Sequence, residues 1–215
     1  MSVCYIIAAG DCDRININKE TGDIIIAADG GLDYCIRDNI TPDIIIGDFD
    51  SAKAVPDADN IISLPVEKDD TDTFYAVKYA MQKGFDRFVI YGGTGGIRPD
   101  HTFANIALLA FIAENGCEGY LNYNGYTVTA IKNSRISFSE NAKGDISVFS
   151  FTDNAYGVTE CGLKYSLENT VLANTIPLGV SNSFTGKNAY IEVRDGVLLI
   201  YFSGNFLLCT IDKLN

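Results

Sequence analysis

Residues 43–51 read Asp43-Ile44-Ile45-Ile46-Gly47-Asp48-Phe49-Asp50-Ser51. Three consecutive β-branched residues between an aspartate and a glycine describe a short strand covered on both faces, as in a parallel sheet. If the following segment stays extended, Asp48 and Asp50 share one side of it and Phe49 points to the other. Two carboxylates that close repel each other, so the pair calls for a cation between them. Hard oxygen donors of this kind suit Mg²⁺, which takes one or two carboxylates together with substrate phosphates.

The same strand signal recurs upstream at Val3–Ala9 and at Asp23–Ala28, and downstream at Arg87–Tyr91. Between these runs the pattern turns helical. Leu32–Asn39 predicts a short helix. Asp72–Lys83 predicts a longer one, with Phe74, Val77 and Met81 on one face and Gly84 as its stop. Thr102–Asn115 predicts a third, rich in Ile106, Leu108, Leu109, Phe111 and Ile112 and closed by Gly116; so apolar a helix is central to the packing or faces another subunit. After about residue 120 helical periodicity stops. Short alternating segments follow at Thr127–Ile131, Arg135–Ser139, Asp145–Phe151, Val171–Ala173, Ala189–Val193, Val197–Phe202 and Phe206–Ile211. Asp195-Gly196 and Ser203-Gly204-Asn205 carry the residue types of hairpin turns. The expected fold is an α/β domain with a mostly parallel sheet over residues 1–125, followed by an all-β domain, a small sandwich, over 126–215.

The bulk composition agrees. The 215 residues are 47% apolar and 20% charged, an ordinary globular mixture. No apolar run approaches the ~18 residues that would span a bilayer, and the first residues lack the basic flank of an export signal. The six cysteines form no C-x-x-C pair, so free thiols and a cytoplasmic location are expected. One histidine argues against a histidine-based zinc site. A net charge of −12 repels nucleic acid and anionic membranes and favours cationic ligands or metal-bound anions.

Three more loops carry chemistry beside Gly47–Ser51. Ala28-Asp29-Gly30-Gly31 follows the second strand, and its glycines permit a tight turn and close approach to a ligand. Lys68-Asp69-Asp70-Thr71-Asp72 precedes the long helix. Asp70 or Thr71 serves there as an N-cap, while three aspartates and a lysine in five positions also suit metal and phosphate. Gly92-Gly93-Thr94-Gly95-Gly96-Ile97-Arg98-Pro99-Asp100-His101 joins a strand to the apolar helix. Backbone N–H groups of such a loop can cradle phosphates, and Arg98 adds a fixed charge. These loops cluster just past the carboxyl ends of the predicted parallel strands, where open α/β sheets bind their ligands.

This ordered set, A-D-G-G, G-D-F-D-S, K-D-D-T-D and G-G-T-G-G with R-P-D-H, resembles the thiamine pyrophosphokinase family. Gly162-Leu163-Lys164-Tyr165 with Leu167, and Val180-Ser181-Asn182-Ser183-Phe184, are similar to segments of that family's β domain, so the likeness runs from about residue 25 to 185. Two departures stand out: Ile97 is an extra residue ahead of Arg98, and Tyr165 replaces a frequent tryptophan.

The resemblance implies a Rossmann-like three-layer α/β domain, a β-sandwich, and transfer of pyrophosphate from ATP to the thiamine hydroxyl, giving thiamine diphosphate and AMP. It places Mg²⁺ on Asp48, Asp50 and Asp72, with Asp69 or Asp70 in support, and leaves one of these carboxylates to take the alcohol proton. Thr94, Gly95 and Arg98 would hold phosphates, and Asp100 would orient Arg98 or a substrate hydroxyl. Asp29, Gly30, Ser51, Lys68 and Thr71 complete the expected nucleotide side. His101 has either a ligand contact or a structural role at its helix end. Ser181, Asn182 and Phe184 would meet thiamine, with core packing the alternative for Phe184. A homodimer sharing the site between subunits is also implied. Three other readings remain: the same transfer to another small alcohol, a non-catalytic nucleotide or thiamine sensor, and an aspartyl-phosphate phosphatase with Asp48 as nucleophile. The last wants its D-x-D after the first strand, whereas two strands precede Asp48.

Overall fold

The computed structural model describes residues 2–48, 60–65, 67 and 69–214. The chain divides into two compact units, residues 1–108 and 109–215. The division falls ahead of the boundary expected near residue 125, inside the third helix.

In the first unit β1 (Val3–Ile7), β2 (Ile24–Ala28), β3 (Ile44–Gly47), β4 (Ile61–Ser63) and β5 (Arg87–Tyr91) lie in the order β5-β1-β2-β3-β4, and all neighbours are parallel. Every residue of β1 is buried, as a strand covered on both faces requires. The expected strands are all present; β4, only three residues long, carried too little pattern to be read.

Helix α1 (Gly31–Asp38) ends at Asn39, whose left-handed backbone (φ 56°) closes the last turn, with Ile40 N–H donating to the Cys35 carbonyl at 2.8 Å. Helix α2 (Asp72–Gln82) starts at Thr71, whose Oγ1 accepts from Phe74 N–H at 3.2 Å. Thr71, not Asp70, is therefore the N-cap. The buried face of α2 is Thr73, Ala76, Val77 and Ala80, while Phe74 and Met81 are only half-buried. Small residues bring this helix close, which displaces the larger pair to the margin. Helix α3 (Pro99–Glu114) begins three residues earlier than its apolar pattern suggests. Proline is well suited to the first helical turn, where its missing N–H is not needed.

In the second unit β6 (Glu118–Tyr123), β7 (Tyr126–Lys132), β9 (Asp145–Ser150), β12 (Gly179–Ser183) and β14 (Val197–Ser203) are antiparallel neighbours in the order β12-β9-β14-β7-β6. A second layer contains β8 (Ser134–Phe138), β10 (Asn154–Cys161), β11 (Leu167–Ala173), β13 (Ala189–Glu192) and β15 (Cys209–Lys213), in the order β11-β10-β13-β8-β15. The layers meet through alternate residues. Phe138 of β8 stands edge-on to Phe202 of β14, with centroids 5.1 Å apart.

Two expected hairpins are absent. Asp195-Gly196 joins β13 to β14 and Ser203-Gly204-Asn205 leads from β14 toward β15, and each pair of strands lies in different layers. These turns carry the chain across the sandwich. The true two-residue hairpin is Asn124-Gly125 between β6 and β7, with both residues at positive φ. The segment expected as a strand from Phe206 is a 3-10 turn over Phe206–Leu208 before β15, because Asn205 Oδ1 accepts from Leu207 N–H and caps it.

Replacing fully buried Phe202 by alanine should destabilise the protein by about 3–5 kcal/mol, measurable as a lower denaturant midpoint.

Candidate active site

Strand β1 lies between β2 and β5. The chain steps from β1 outward through β2, β3 and β4, then returns to the other side of β1 as β5. The crevice beyond the carboxyl ends of β1 and β5 is thus a topological switch point. Past the strands the two loops continue to pair. Ala8 N–H donates to the Tyr91 carbonyl at 2.8 Å, Gly10 N–H to Gly92 at 2.7 Å and Asp11 N–H to Thr94 at 2.8 Å. Only glycine permits this approach. A Cβ on Gly92 would lie 2.3 Å from the Ala8 carbonyl oxygen, and one on Gly10 would lie 2.5 Å from that of Thr94.

A cleft of about 320 Å³ opens there. Gly10, Gly92, Gly93, Gly95 and Gly96 line it with backbone, so N–H groups and carbonyls reach its surface without side chains in front. The amino-terminal ends of α2 and α3 also border it, through Thr71, Asp72 and Thr73 and through Arg98 and His101. Helix amino termini favour negative charge. Behind the glycine loop, buried Asn105 donates to the Gly93 carbonyl at 2.8 Å, and Thr102 Oγ1 accepts from Gly95 N–H at 3.0 Å. Asp29 enters the cleft from the end of β2 with a left-handed backbone (φ 49°), its N–H donating to the Ile46 carbonyl of β3 at 2.7 Å. A non-glycine residue in that conformation marks a locally strained turn.

Arg98 borders the same cleft, and its guanidinium is gripped by Asp100 at 3.0 Å (Nε to Oδ1) and 2.7 Å (Nη2 to Oδ2). This two-pronged contact fixes the plane of the guanidinium. The same bonds pull the Asp100 carboxyl down to about 2. The extra residue Ile97 is almost wholly exposed, so the added length is taken up at the solvent side while Arg98 keeps its place on the cleft.

Of the residues singled out from sequence, the cleft gathers Asp29, Thr71, Asp72, Gly95, Arg98 and His101. The other described ones do not line it. Gly30 is the N-cap of α1, half-buried Asp48 directly follows β3, and Asp69 is exposed ahead of α2. Asp70 forms an ion pair with Lys78. The Thr94 hydroxyl is buried and has no hydrogen-bond partner among the described residues. Asp50, Ser51 and Lys68 lie outside the described residues. Among the described residues no three histidine, cysteine or acidic side chains gather closely enough to hold a metal ion. Sequence reasoning missed Ala8, Ala9, Gly10 and Asn105 as lining residues. Gly10, placed like Gly30 and Gly47 just past an apolar run, was the available signal.

In the second unit the two motif segments lie side by side. Leu163 bridges Phe184, and Lys164 N–H donates to the Ser183 carbonyl at 3.0 Å. Asn182 is buried, and its amide uses all four hydrogen-bonding positions. Oδ1 accepts from Tyr165 and Ser183 N–H, each at 2.9 Å, and Nδ2 donates to the Tyr165 carbonyl at 2.7 Å and to Glu160 at 2.9 Å. Phe184 packs edge-on to Phe138 at 5.1 Å. Ser181 is exposed, at positive φ (62°), and its N–H donates to Ser147 Oγ at 3.1 Å.

Family models match both units. Residues 15–121 match the thiamin pyrophosphokinase catalytic domain and residues 133–198 match its vitamin B1 binding domain. The chain belongs to the thiamin pyrophosphokinase family. Thiamine pyrophosphokinase of Bacillus subtilis (strain 168) is 29% identical over 186 residues, covering 81% of this chain and 85% of the relative. A crystal structure of thiamine pyrophosphokinase from Bacillus subtilis superimposes with a TM-score of 0.83 at 23% identity, over 96% of this chain and 100% of the other. That of a thiamin pyrophosphokinase family protein from Enterococcus faecalis gives 0.79 at 25% identity, over 95% and 100%. The catalytic-domain match contains α1, α2 and α3 and most of the cleft lining, and the vitamin B1 binding match contains both Tyr165 and Asn182.

The Arg98–Asp100 contact sets a measurable expectation. In an NMR titration, the Asp100 carboxyl should ionise near pH 2, and in an Arg98→Ala variant it should return toward the ordinary aspartate range near 3.9. Because its folded value is depressed, any stabilisation from the pair is complete above the ordinary value and disappears as pH falls toward 2.

Proposed function

We propose that this chain is a thiamine pyrophosphokinase that transfers the pyrophosphoryl group of ATP to the hydroxyl of thiamine. The supporting observation is the cleft at the switch point. In one place it combines a glycine backbone cradle, a clamped arginine and two carboxylates, Asp29 and Asp72, in a chain of this family. Glycine N–H groups and the amino terminus of α3 suit phosphate oxygens. Arg98, pre-oriented by Asp100, binds a phosphate without first having to order its side chain.

In the transfer, the thiamine hydroxyl oxygen forms a bond to the β-phosphorus of ATP. The bond from that phosphorus to the oxygen bridging it to the α-phosphorus breaks, and AMP leaves with this oxygen. The hydroxyl proton passes to a site carboxylate, which we assign to Asp72. The donor chemistry fits Mg²⁺: two carboxylates, Asp29 and Asp72, line the cleft beside the glycine cradle, and Asp48, Asp50 and Asp72 would hold the ion. When bound, it would neutralise charge on the triphosphate oxygens. Arg98 counters the remaining phosphate charge, and Asp29 borders the cleft from the β2 side.

The vitamin B1 binding unit supplies the acceptor side in this reading. Ser181 offers an exposed hydroxyl, while Asn182 and Phe184 act behind it, the first by its hydrogen bonds and the second by packing. We read the enzyme as a cytoplasmic homodimer in which this unit of one subunit completes the site of its partner, and the parallel sheet with its helices as a three-layer, Rossmann-like arrangement. No helix among the described residues is long and apolar enough to cross a membrane. The phosphatase alternative is disfavoured by position, since Asp48 follows the third strand of its sheet.

Purified protein with ATP, Mg²⁺ and thiamine should form AMP and thiamine diphosphate in equal amounts, resolved by chromatography. ADP with thiamine monophosphate would refute pyrophosphoryl transfer. Chelation should stop turnover and added Mg²⁺ restore it. Asp48→Asn and Asp72→Asn should each lower kcat by roughly 10²–10³, the scale of losing one charge-stabilising group at a reacting phosphate, with the thermal transition retained. Near-normal activity in either variant removes that residue from the assignment.

A further inference from the structure

Glu160 lies in β10, opposite Leu167 of β11 and Ile191 of β13, and only 1% of its surface is exposed. A carboxyl in such a place needs partners for its oxygens. Oε2 accepts from Asn182 Nδ2 at 2.9 Å, whereas Oε1 has no hydrogen-bond partner among the described residues. It points toward β12, where a Cβ on Gly179 would sit 3.2 Å from it.

The Asn182 amide can face only one way. The N–H groups of Tyr165 and Ser183 both need an acceptor, so Oδ1 must turn toward them. Nδ2 then needs two acceptors, and these are the Tyr165 carbonyl and Glu160. Both backbone polar groups of Tyr165 are thereby clamped by one side chain, whose own orientation Glu160 completes. Tyr165 itself is 60% exposed, and the Lys164 ammonium lies 5.3 Å from its ring centroid. Its ring face already accommodates a cation.

We propose that Glu160 is a positioning residue for acceptor recognition, acting only through Asn182 to hold the exposed Tyr165 ring where a flat, cationic aromatic substrate can rest on it. This rests on the proposed function for its substrate, although the clamp can be tested without it. Burial pushes the Glu160 carboxyl up to about 7, with the Asn182 bond pulling the other way. The groups that face it are Leu167 of β11, Ile191 of β13, Asn182 and Gly179 of β12 and, beside Gly179, Val148 of β9, none of which titrates. A buried acid whose folded value is raised contributes stability that is complete below its ordinary value of 4.5 and is lost as pH rises through about 7. Ionisation does not break the clamp, because a carboxylate accepts from Asn182 Nδ2 at least as well as the neutral acid does.

The test uses the full-length protein in three forms: wild type, Glu160→Gln, which mimics the neutral acid, and Glu160→Leu, which leaves the Asn182 amide one acceptor short. Glu160→Leu should raise the KM for thiamine by about 3- to 10-fold, the scale of one lost hydrogen bond, with kcat and the KM for ATP unchanged. Glu160→Gln, whose side-chain oxygen still accepts from Asn182, should keep the wild-type KM. A Leu variant with the wild-type KM for thiamine, or a Gln variant as impaired as Leu, would overturn the proposal.

Amide hydrogen exchange provides an arm independent of activity. Protection of the Tyr165 and Ser183 N–H groups should fall in Glu160→Leu and not in Glu160→Gln. Unchanged protection defeats the clamp even in an active enzyme. Changed protection in a protein that makes no thiamine diphosphate sustains the clamp and defeats the proposed function. Should Glu160→Leu fail to fold, Glu160→Met, which also removes the acceptor, decides in its place.

Discussion

The backbone approach between the loops after β1 and β5 is the constraint on which the first unit depends. Two parallel strands normally part once their ladder ends. Here three further N–H groups keep the loops paired through Asp11 and Thr94, and the contact is open only to residues without side chains. It produces a cleft surface made of peptide groups, which is what a close-fitting polyphosphate needs. The ends of α2 and α3 then converge on it because each helix follows a strand of the same sheet. A Cβ on Gly31, at the start of α1, would lie 1.9 Å from the Ile7 carbonyl oxygen, so that helix too begins against β1 only because glycine stands there.

Charge poses a different demand. A chain at −12 must receive a polyanion, and its overall field opposes that. Local arrangement has to reverse the sign. Arg98 contributes, yet half of its fork already faces Asp100, so the pair is nearly neutral and serves direction more than attraction. The helix termini add partial positive charge, and Asp29 and Asp72 subtract from it. Such a site becomes attractive to a nucleotide only when the nucleotide arrives with a cation. This is the physical reason for reading the aspartates as a metal set and not as substrate-binding groups in their own right. The same negative field that burdens the nucleotide alone favours a positively charged acceptor.

How much of this was visible in the sequence depends on the range of the interaction. The parallel strands other than β4 were legible because continuous β-branched runs have few other uses, and α1 and α2 because their stops, Asn39 and Gly84, are local. The catalytic loops were legible as loops, since strand, glycine and carboxylate are neighbours in the chain. The second unit was legible as all-β but not in its connections. Asp195-Gly196 and Asn124-Gly125 carry equivalent turn residues, yet only the second joins paired strands. Turn chemistry permits a reversal without saying which layer the next strand enters. Strands β10 and β12 escaped because Gly157 and positive-φ Ser181 interrupt their alternation, with register shifts in both pairings. Asn105 could not have been found, because what identifies it is a hydrogen bond across twelve residues to Gly93.

Asn182 shows the same limit and its consequence. Read along the chain, Gly162–Tyr165 and Ser181–Phe184 are separate motifs, and the polar residues in them look like ligand contacts. In the fold they are two edges of one joint. Gly162 adopts φ 77° against the Asn188 backbone, Leu163 bridges Phe184, and a single amide holds both polar backbone groups of Tyr165. A side chain so fully used has nothing left for a substrate, but it determines where an exposed ring can stand. The acidic residue behind it then acquires a purpose that its own position, buried and distant from the cleft residues in sequence, would not suggest. Recognition of a flat cation in this unit therefore depends less on the polar residues of the motif than on the aromatic surface they hold in place.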